Sequence, residues 1–347
     1  MIRLAWRQFR SQAALALVAL AALAVVVAVT GANLAHLYDT TVAPCNAGGG
    51  DCQAVGVSLL STDLSLQLVL SAIVLAAPAL VGIFWGAPLI ARELETGTFR
   101  LAWTQSITRT RWLAVKLGVV GLSGMAIVGL LSLMVTWWYG PIDRVSMNEF
   151  QPGVFDARDI VPIAYAAFAI ALGITAGLVI RRTTAAMAAT MVGYVGALLV
   201  VTSLAGPYLM PPAHANVPLS SASDLGFDPG PTLVAGAPDI PNAWVLSSQI
   251  VDGSDQAPSQ TAMAQFIQTA CPKVFGSASQ VGGQLKGPAD ATAFHDCIVQ
   301  LSSKYHEDVT YQPADRYWVF QWCESAIFLG LAVILAGVSF WWIRRRV

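Results

Sequence analysis

Charged side chains are scarce in this sequence. Asp, Glu, Lys and Arg make up 11% of its 347 residues, whereas a soluble domain typically carries about 25%. Hydrophobic residues reach 56%, the mean hydropathy is +0.62, and the net charge is −1. Such a composition excludes a nucleic-acid-binding protein, a disordered chain and an ordinary soluble enzyme. It indicates an integral membrane protein whose surroundings are the lipid bilayer.

Several motifs of soluble chemistry are also missing. The sequence has no P-loop of the form GxxxxGK[ST], no HExxH, no GxSxG and no Cys-x-x-Cys pair. It therefore lacks these ways of holding a nucleotide's phosphates, a catalytic zinc ion or a serine nucleophile. We expect no catalytic residues, no metal and no cofactor in this chain.

Long apolar runs are what the sequence has instead. A bilayer core about 30 Å thick requires roughly 20 apolar residues in a helix. The first run follows three arginines and is compatible with a cleaved signal peptide, but we interpret it as a retained helix. The sequence thus predicts an all-α polytopic membrane protein with six transmembrane helices, at residues 13–35, 64–90, 113–138, 160–180, 184–206 and 319–343.

The distribution of cations predicts the orientation, because Lys and Arg accumulate in cytoplasmic connections. With both termini in the cytoplasm of a bacterial plasma membrane, most cations fall on that side and only two acids accompany them. The acids concentrate on the other side. The predicted cytoplasmic cations are Arg3, Arg7, Arg10, Arg92, Arg100, Arg109, Arg111, Lys116, Arg181, Arg182, Arg344, Arg345 and Arg346.

This topology divides the chain into four parts. Residues 1–12 form an amphipathic cytoplasmic segment, and residues 13–206 contain spans one to five with a cytoplasmic loop at 91–112. Residues 207–318 form an extracellular insertion between spans five and six, and residues 319–347 hold the sixth span and a basic tail. Apolar residues at helical spacing predict two short helices in the insertion, at 263–270 and 294–305.

Four of the five cysteines fall on the oxidising side, where disulfides persist. Four cysteines allow three connectivities. We favour Cys45–Cys52 and Cys271–Cys297 because each pair lies within one extracellular segment, while free thiols or metal ligands remain an alternative. Cys323 lies in the last span and is interpreted as a small buried apolar residue.

Glu324 is the only acidic residue within the predicted spans. An intramembrane carboxylate is a functional hypothesis by default, so Glu324 and the nearby Gln321 are candidate pathway residues. The alternative is that Glu324 reaches water or an aromatic hydroxyl near the membrane surface.

The cytoplasmic segment 91–118 (ARELETGTFRLAWTQSITRTRWLAVKLG) is the most informative part of the chain. Its pattern predicts a short amphipathic helix at the membrane surface, with Leu101 and Trp103 facing lipid or protein and the arginines in water. Glu93 and Glu95 weaken attraction to anionic lipid. A docking surface for a protein partner would account for both acids.

Here the sequence resembles the permease subunits of type-2 ATP-binding-cassette (ABC) exporters. Those permeases carry Glu-x-Glu-x-Gly-Thr, then Leu, a Thr-x-x-Ser-type turn and a Lys between their second and third spans. The resemblance is closest to the actinobacterial branch, which has a similar WRQFR stretch and an FQW-E segment before the last span. The matching residues are Glu93-Leu94-Glu95-Thr96-Gly97-Thr98, Leu101, Thr104-Gln105-Ser106, Lys116 and Phe320-Gln321-Trp322-Cys323-Glu324.

The resemblance implies the membrane half of an ATP-driven exporter. Two permease chains, identical or homologous, would pair above two separate ATPase subunits that bind ATP and Mg. Amphipathic or hydrophobic cargo, such as an antibiotic, a peptide or a lipid, would pass between them. The implied coupling residues are Glu93, Glu95, Gly97, Thr98 and Leu101, with a second contact at Arg181 and Arg182.

Two other classes compete with this interpretation. A membrane sensor or immunity protein would bind a ligand through the extracellular insertion without transport. A polytopic membrane enzyme would need a catalytic cluster, which only Glu324 with Gln321 or His306 could begin to form.

Overall fold

A computed structural model describes residues 2–48, 52–97, 108–146, 149–150, 153–219, 225–227, 233–235, 240–259, 261–262, 265–266, 269 and 299–345. The chain forms two compact units. The first comprises Met1–Leu209 with Arg316–Val347, and the second is Met210–Asp315.

The first unit is helical. Its α-helices are α1 (Ile2–Leu37), α2 (Ala43–Gly48), α3 (Gln53–Thr62), α4 (Leu64–Val81), α5 (Ala87–Thr96), α6 (Arg109–Ser146), α7 (Val161–Ile180), α8 (Thr183–Leu199) and α9 (Tyr317–Arg345). Wider π-helical turns continue three of them at Tyr38–Val42, Gly82–Gly86 and Val200–Ala205.

Six helical segments of the described chain are long and apolar enough to cross a membrane. In chain order these spans are Arg10–Gly48, Leu64–Thr96, Arg109–Ser146, Val161–Ile180, Thr183–Tyr208 and Ala314–Arg345. Large apolar side chains such as Leu15, Leu122, Val192 and Val333 are more than 60% exposed along them. A surface this apolar suits lipid, because soluble proteins rarely expose such patches. The prediction of six membrane-spanning helices agrees with this architecture.

The fourth span, α7, lies at the centre of the bundle. In its most apolar window 67% of the residues are buried, against 11% for the first span. Hydrogen bonds tie the bundle together across the spans. Trp138 Nε1 donates to Thr30 Oγ1 over 3.0 Å, and Tyr194 donates to the Leu75 carbonyl over 3.1 Å.

Small residues let the second and fourth spans approach each other closely. A Cβ at Gly173 would lie 2.5 Å from the Gly82 carbonyl oxygen, and one at Gly177 would lie 2.8 Å from that of Ala87. A Cβ at Gly86 would likewise crowd the backbone of α7. Both sides of this glycine contact therefore bring backbone against backbone, the arrangement by which small residues pack membrane helices.

The described residues between the first and second predicted spans are mostly helical. Thr40 Oγ1 and Thr41 Oγ1 donate to the carbonyls of His36 and Leu37, which keeps these polar residues compatible with a continuing helix. Further on, Cys45 of α2 and Cys52 before α3 form a disulfide. This is the pairing favoured from the sequence, whereas Cys271 and Cys297 lie outside the described residues.

The second unit corrects the prediction of an all-α protein, because it contains β-strands. They are β1 (Ala213–Pro218), β2 (Leu225–Phe227), β3 (Leu233–Ala235), β4 (Trp244–Asp252) and β5 (Tyr305–Gln312). One antiparallel sheet has the order β1-β5-β4, and β2 pairs with β3. In β5 the burial of Tyr305, Glu307 and Val309 alternates with period two, as expected of a strand with two different faces.

The strand β5 also overturns one predicted helix boundary. Tyr305 had the spacing of the last apolar residue of a helix, but it opens β5 and pairs with Asp252. The helix around Leu301 ends before it, and Lys304 N–H bonds to the Leu301 carbonyl at the turn. Most of the two predicted helices, at 263–270 and 294–305, lies outside the described residues.

Candidate functional site

The connection between spans two and three starts and ends with clear helix signals. Helix α5 ends at Thr96 because Gly97 has φ 74°, a left-handed conformation that favours glycine. Helix α6 begins after Thr108, whose hydroxyl accepts the N–H of Arg111 and whose carbonyl accepts that of Trp112. Residues 91–96 thus belong to the helix that continues span two, whereas Leu101 and Trp103 of the predicted surface helix lie outside the described residues.

Glu93 forms an ion pair with Lys116 that joins spans two and three. The Glu93 Oε1–Lys116 Nζ distance is 2.6 Å, and the side chains are 18% and 6% exposed. The Lys116 ammonium also donates to the Leu89 carbonyl over 3.2 Å and lies over the ring of Trp112. The predicted docking acid Glu93 is therefore engaged within the chain.

Glu95, two residues further on, reaches the start of span five. Its Oε2 accepts the backbone N–H of Thr183 over 3.1 Å and the Thr183 hydroxyl over 2.7 Å. The first N–H groups of a helix have no partner within it, and a carboxylate there also interacts well with the helix dipole. Glu95 therefore caps α8 from a position 88 residues earlier in the chain.

These contacts bring together residues that the family resemblance assigned to two separate coupling contacts. Arg181 and Arg182 form the short turn that separates α7 from α8, and both are exposed. The Glu95–Thr183 bond places that turn beside the end of α5. Of the other predicted coupling residues, Gly97 ends α5, whereas Thr98 and Leu101 lie outside the described residues.

A second polar cluster lies at the opposite end of α7. Tyr165, near the start of that helix, is about 22 Å along the axis from Ile180 at a rise of about 1.5 Å per residue. The Tyr165 hydroxyl makes a short hydrogen bond to Glu324 Oε1 of span six and lies 3.4 Å from Asp156 Oδ1. Glu324 is 4% exposed, so its side chain is enclosed by the chain.

Gln321, the other candidate pathway residue, is fully buried and bonds three groups of the same region. Its Oε1 accepts the N–H of Val161, the first residue of α7, over 3.3 Å. Its Nε2 donates to the Phe155 carbonyl over 3.1 Å and to the Tyr317 hydroxyl over 3.3 Å. Gln321 therefore holds span six against the start of span four.

The segment between spans three and four is fastened by further charged groups. The guanidinium of Arg158 binds Asp143 through both of its terminal nitrogens, and the rings of Phe150 and Phe320 meet edge-on. Burial raises the pKa of Asp156, and it also raises the pKa of Glu149.

Sequence reasoning missed Asp156 and Tyr165 as members of this cluster. Asp156 lies in a connection that carried no motif, and Tyr165 reads as one apolar residue among many in a long span. The intramembrane position of Glu324 was the usable signal. A buried carboxyl needs a hydrogen-bonding partner, and Tyr165, in an adjacent span, was available for that role.

Six apolar helices with charged groups gathered at their ends define a multi-pass membrane protein. Residues 17–205, more than half of the chain, match the family described as ABC-2 membrane transporter related, and the chain belongs to this family. Neither curated proteins nor solved structures give a significant match. Membership supports a permease-type role in ABC transport, and such permeases are generally non-catalytic membrane subunits that work with an ATPase subunit.

Proposed function

We propose that this protein is the permease subunit of an ATP-driven exporter, and that α5, Gly97 and the Arg181–Arg182 turn form one surface for a separate ATPase subunit. The observation that carries the proposal is the bond between Glu95 and Thr183. It joins the two connections that the family resemblance assigns to ATPase coupling.

The charge of this end of the bundle supports a cytoplasmic position. Arg92, Arg109, Arg111, Arg181 and Arg182 are all exposed there. Cations concentrate at the cytoplasmic ends of membrane helices, so both termini are assigned to the cytoplasm of a bacterial plasma membrane. The surface thus faces the compartment that contains ATP.

The contacts of α5 with its neighbouring helices would transmit a displacement of α5 to other spans. Helix α5 continues span two through the π-helical turn Gly82–Gly86, and that turn packs backbone against backbone on α7. The Glu93–Lys116 ion pair adds span three, and Glu95 adds span five. Displacement of α5 by an ATPase subunit would therefore move these spans together.

The pathway and cargo follow from the same assembly. Six spans are few for enclosing a route, so two permease chains would pair above two ATPase subunits, which would bind ATP and Mg. A groove of about 870 Å³ between the first three spans is lined almost wholly by apolar side chains, among them Leu15, Leu23 and Phe84. Apolar surfaces of this kind favour amphipathic or hydrophobic cargo.

The test is gentle purification of the full chain from its native membranes, followed by mass spectrometry and an ATPase assay. We expect a stoichiometric ATPase subunit with the unmodified chain, and a reduced amount with Glu95→Ala, because the Arg181–Arg182 turn loses its link to α5. Asp39→Ala removes an exposed carboxyl near the other end of span one and serves as the matched control.

Two outcomes would count against the proposal. If no ATPase accompanies the chain while other membrane complexes stay intact, a sensor that binds its ligand through residues 207–318 becomes the better interpretation. If Glu95→Ala and Asp39→Ala retain the ATPase equally, the subunit docks elsewhere.

A further inference from the structure

Two carboxyl groups from distant parts of the chain meet at one tyrosine hydroxyl. The oxygen of Tyr165 is within hydrogen-bonding distance of Glu324 Oε1 and 3.4 Å from Asp156 Oδ1. Tyr165 is fully buried and Glu324 is 4% exposed. The coupling proposed above uses none of these side chains, which lie at the other end of α7.

The number of protons in this arrangement follows from its chemistry. A tyrosine hydroxyl has one proton to donate and lone pairs with which to accept. If both carboxyls were ionised, the hydroxyl could donate to only one of them, and the other would face its lone pairs. A single proton on either carboxyl supplies the missing donor and completes a chain from carboxyl to hydroxyl to carboxylate.

Among the described residues, no positively charged side chain hydrogen-bonds to Asp156 or to Glu324. The contacts of Asp156 include the Gly153 N–H, which donates to Oδ2 over 3.3 Å. Arg158, two residues away, has its terminal nitrogens bound by Asp143. Other titratable groups on the elements packed at this end include Glu149, Asp159, Tyr139, Tyr194 and Tyr317, with Arg144 at the end of α6 and Arg316 directly before α9.

We propose that Asp156, Tyr165 and Glu324 form a binding site for a single proton, shared between the two carboxyls through the hydroxyl. The site joins the segment after span three to spans four and six. Loss of the proton leaves two negative charges around one hydroxyl in a buried place, where like charges repel strongly. Deprotonation therefore loosens span six from the segment that carries Asp156.

Infrared difference spectroscopy of the full chain in lipid or detergent tests the proposal, because a protonated carboxyl has its own carbonyl-stretch band. At neutral pH we expect the unmodified chain to show a band that both Asp156→Asn and Glu324→Gln abolish. In each variant the new amide donates to the Tyr165 oxygen, so Tyr165 can donate to the remaining carboxylate. Asp39→Asn, at an exposed carboxyl, is the control and keeps the band.

Other results would overturn the shared site. Loss of the band in only one amide variant would show an ordinary isolated acid, and loss of a different carboxyl band in each would show two protons. If a variant does not fold, a pH titration of the unmodified chain still decides. The absence of any protonated carboxyl band that titrates above the normal carboxyl range would contradict the proposal. A failure to find an ATPase subunit would leave this test unaffected.

Discussion

The close contact between spans two and four makes Gly173→Ala an informative substitution. The new Cβ would lie 2.5 Å from the Gly82 carbonyl oxygen and 2.8 Å from the Ala87 nitrogen. An ordinary C···O contact is about 3.3 Å, so the shortfall is about 0.8 Å. Because the opposing atoms belong to the backbone, no flexible side chain can move away, and the two helices must separate.

The expected magnitude follows from two opposing effects. Overpacking of a well-packed site typically costs about 1–3 kcal/mol. Replacement of Gly by Ala inside a helix stabilises the helix by up to about 1 kcal/mol through its higher helix propensity. Gly121→Ala is the matched control, because a Cβ at Gly121 would have no described atom within 4 Å apart from the adjoining part of its own helix. The propensity gain is common to both variants, so Gly173→Ala should be less stable than Gly121→Ala by about 1–3 kcal/mol.

Equilibrium unfolding of the purified full chain in mixed micelles measures this difference, with helix content followed by circular dichroism. ATPase activity of the assembled complex is expected to fall in parallel, because α5 would lose its fixed position against α7. Equal stability of the Gly173→Ala and Gly121→Ala variants would refute the close backbone contact and the transmission of movement that depends on it.

Three further predictions concern individual contacts. Lys116→Met should lower the free energy of unfolding by about 3 kcal/mol, because it removes the ammonium that forms an ion pair with the poorly exposed Glu93. Adding Glu93→Gln should restore part of this loss in a double-mutant cycle, and additive losses would contradict the pairing. Maleimide labelling without reductant should leave Cys45, Cys52, Cys271 and Cys297 unmodified, and labelling of the last two would disprove their pairing. Burial raises the pKa of Asp156, so the native chain binds a proton at this carboxyl more tightly than the unfolded chain does. The free energy of unfolding should therefore fall as the pH rises from the unfolded-state pKa of Asp156 to its native-state pKa. Asp156→Asn should flatten that part of the measured stability profile, and an unchanged slope would argue against a buried protonated Asp156.

The spans could be predicted from the sequence because hydropathy over about 20 residues is a local property. The short turn at Arg181 and Arg182 and the Gly173-x-x-x-Gly177 spacing are local in the same sense, although the contact of these glycines with span two is not. Gly121 shows the limit of this reasoning, because a helical glycine can equally face open space.

The candidate site was harder to predict because its contacts join residues far apart in the chain. Glu95 meets Thr183 across 88 residues, and Glu324 meets Tyr165 across 159. Charge pattern marked Glu93 and Glu95 as unusual but did not reveal what they bind.

The sheet was missed for another reason. Short strands such as β1 and β5 alternate polar and apolar residues too briefly to stand out beside six long apolar runs.

The cap that Glu95 provides for α8 bears on how the protein is made. The second span leaves the ribosome before the fifth, so the carboxylate that completes the first turn of α8 is already present when Thr183 is synthesised. Until the two meet, the Thr183 N–H has to find water or another acceptor at the membrane surface. The order of synthesis thus favours insertion of span five next to a second span that is already in the membrane. A Glu95→Ala chain should therefore show its first defect during biogenesis, as slower acquisition of protease resistance at the Arg181–Arg182 turn.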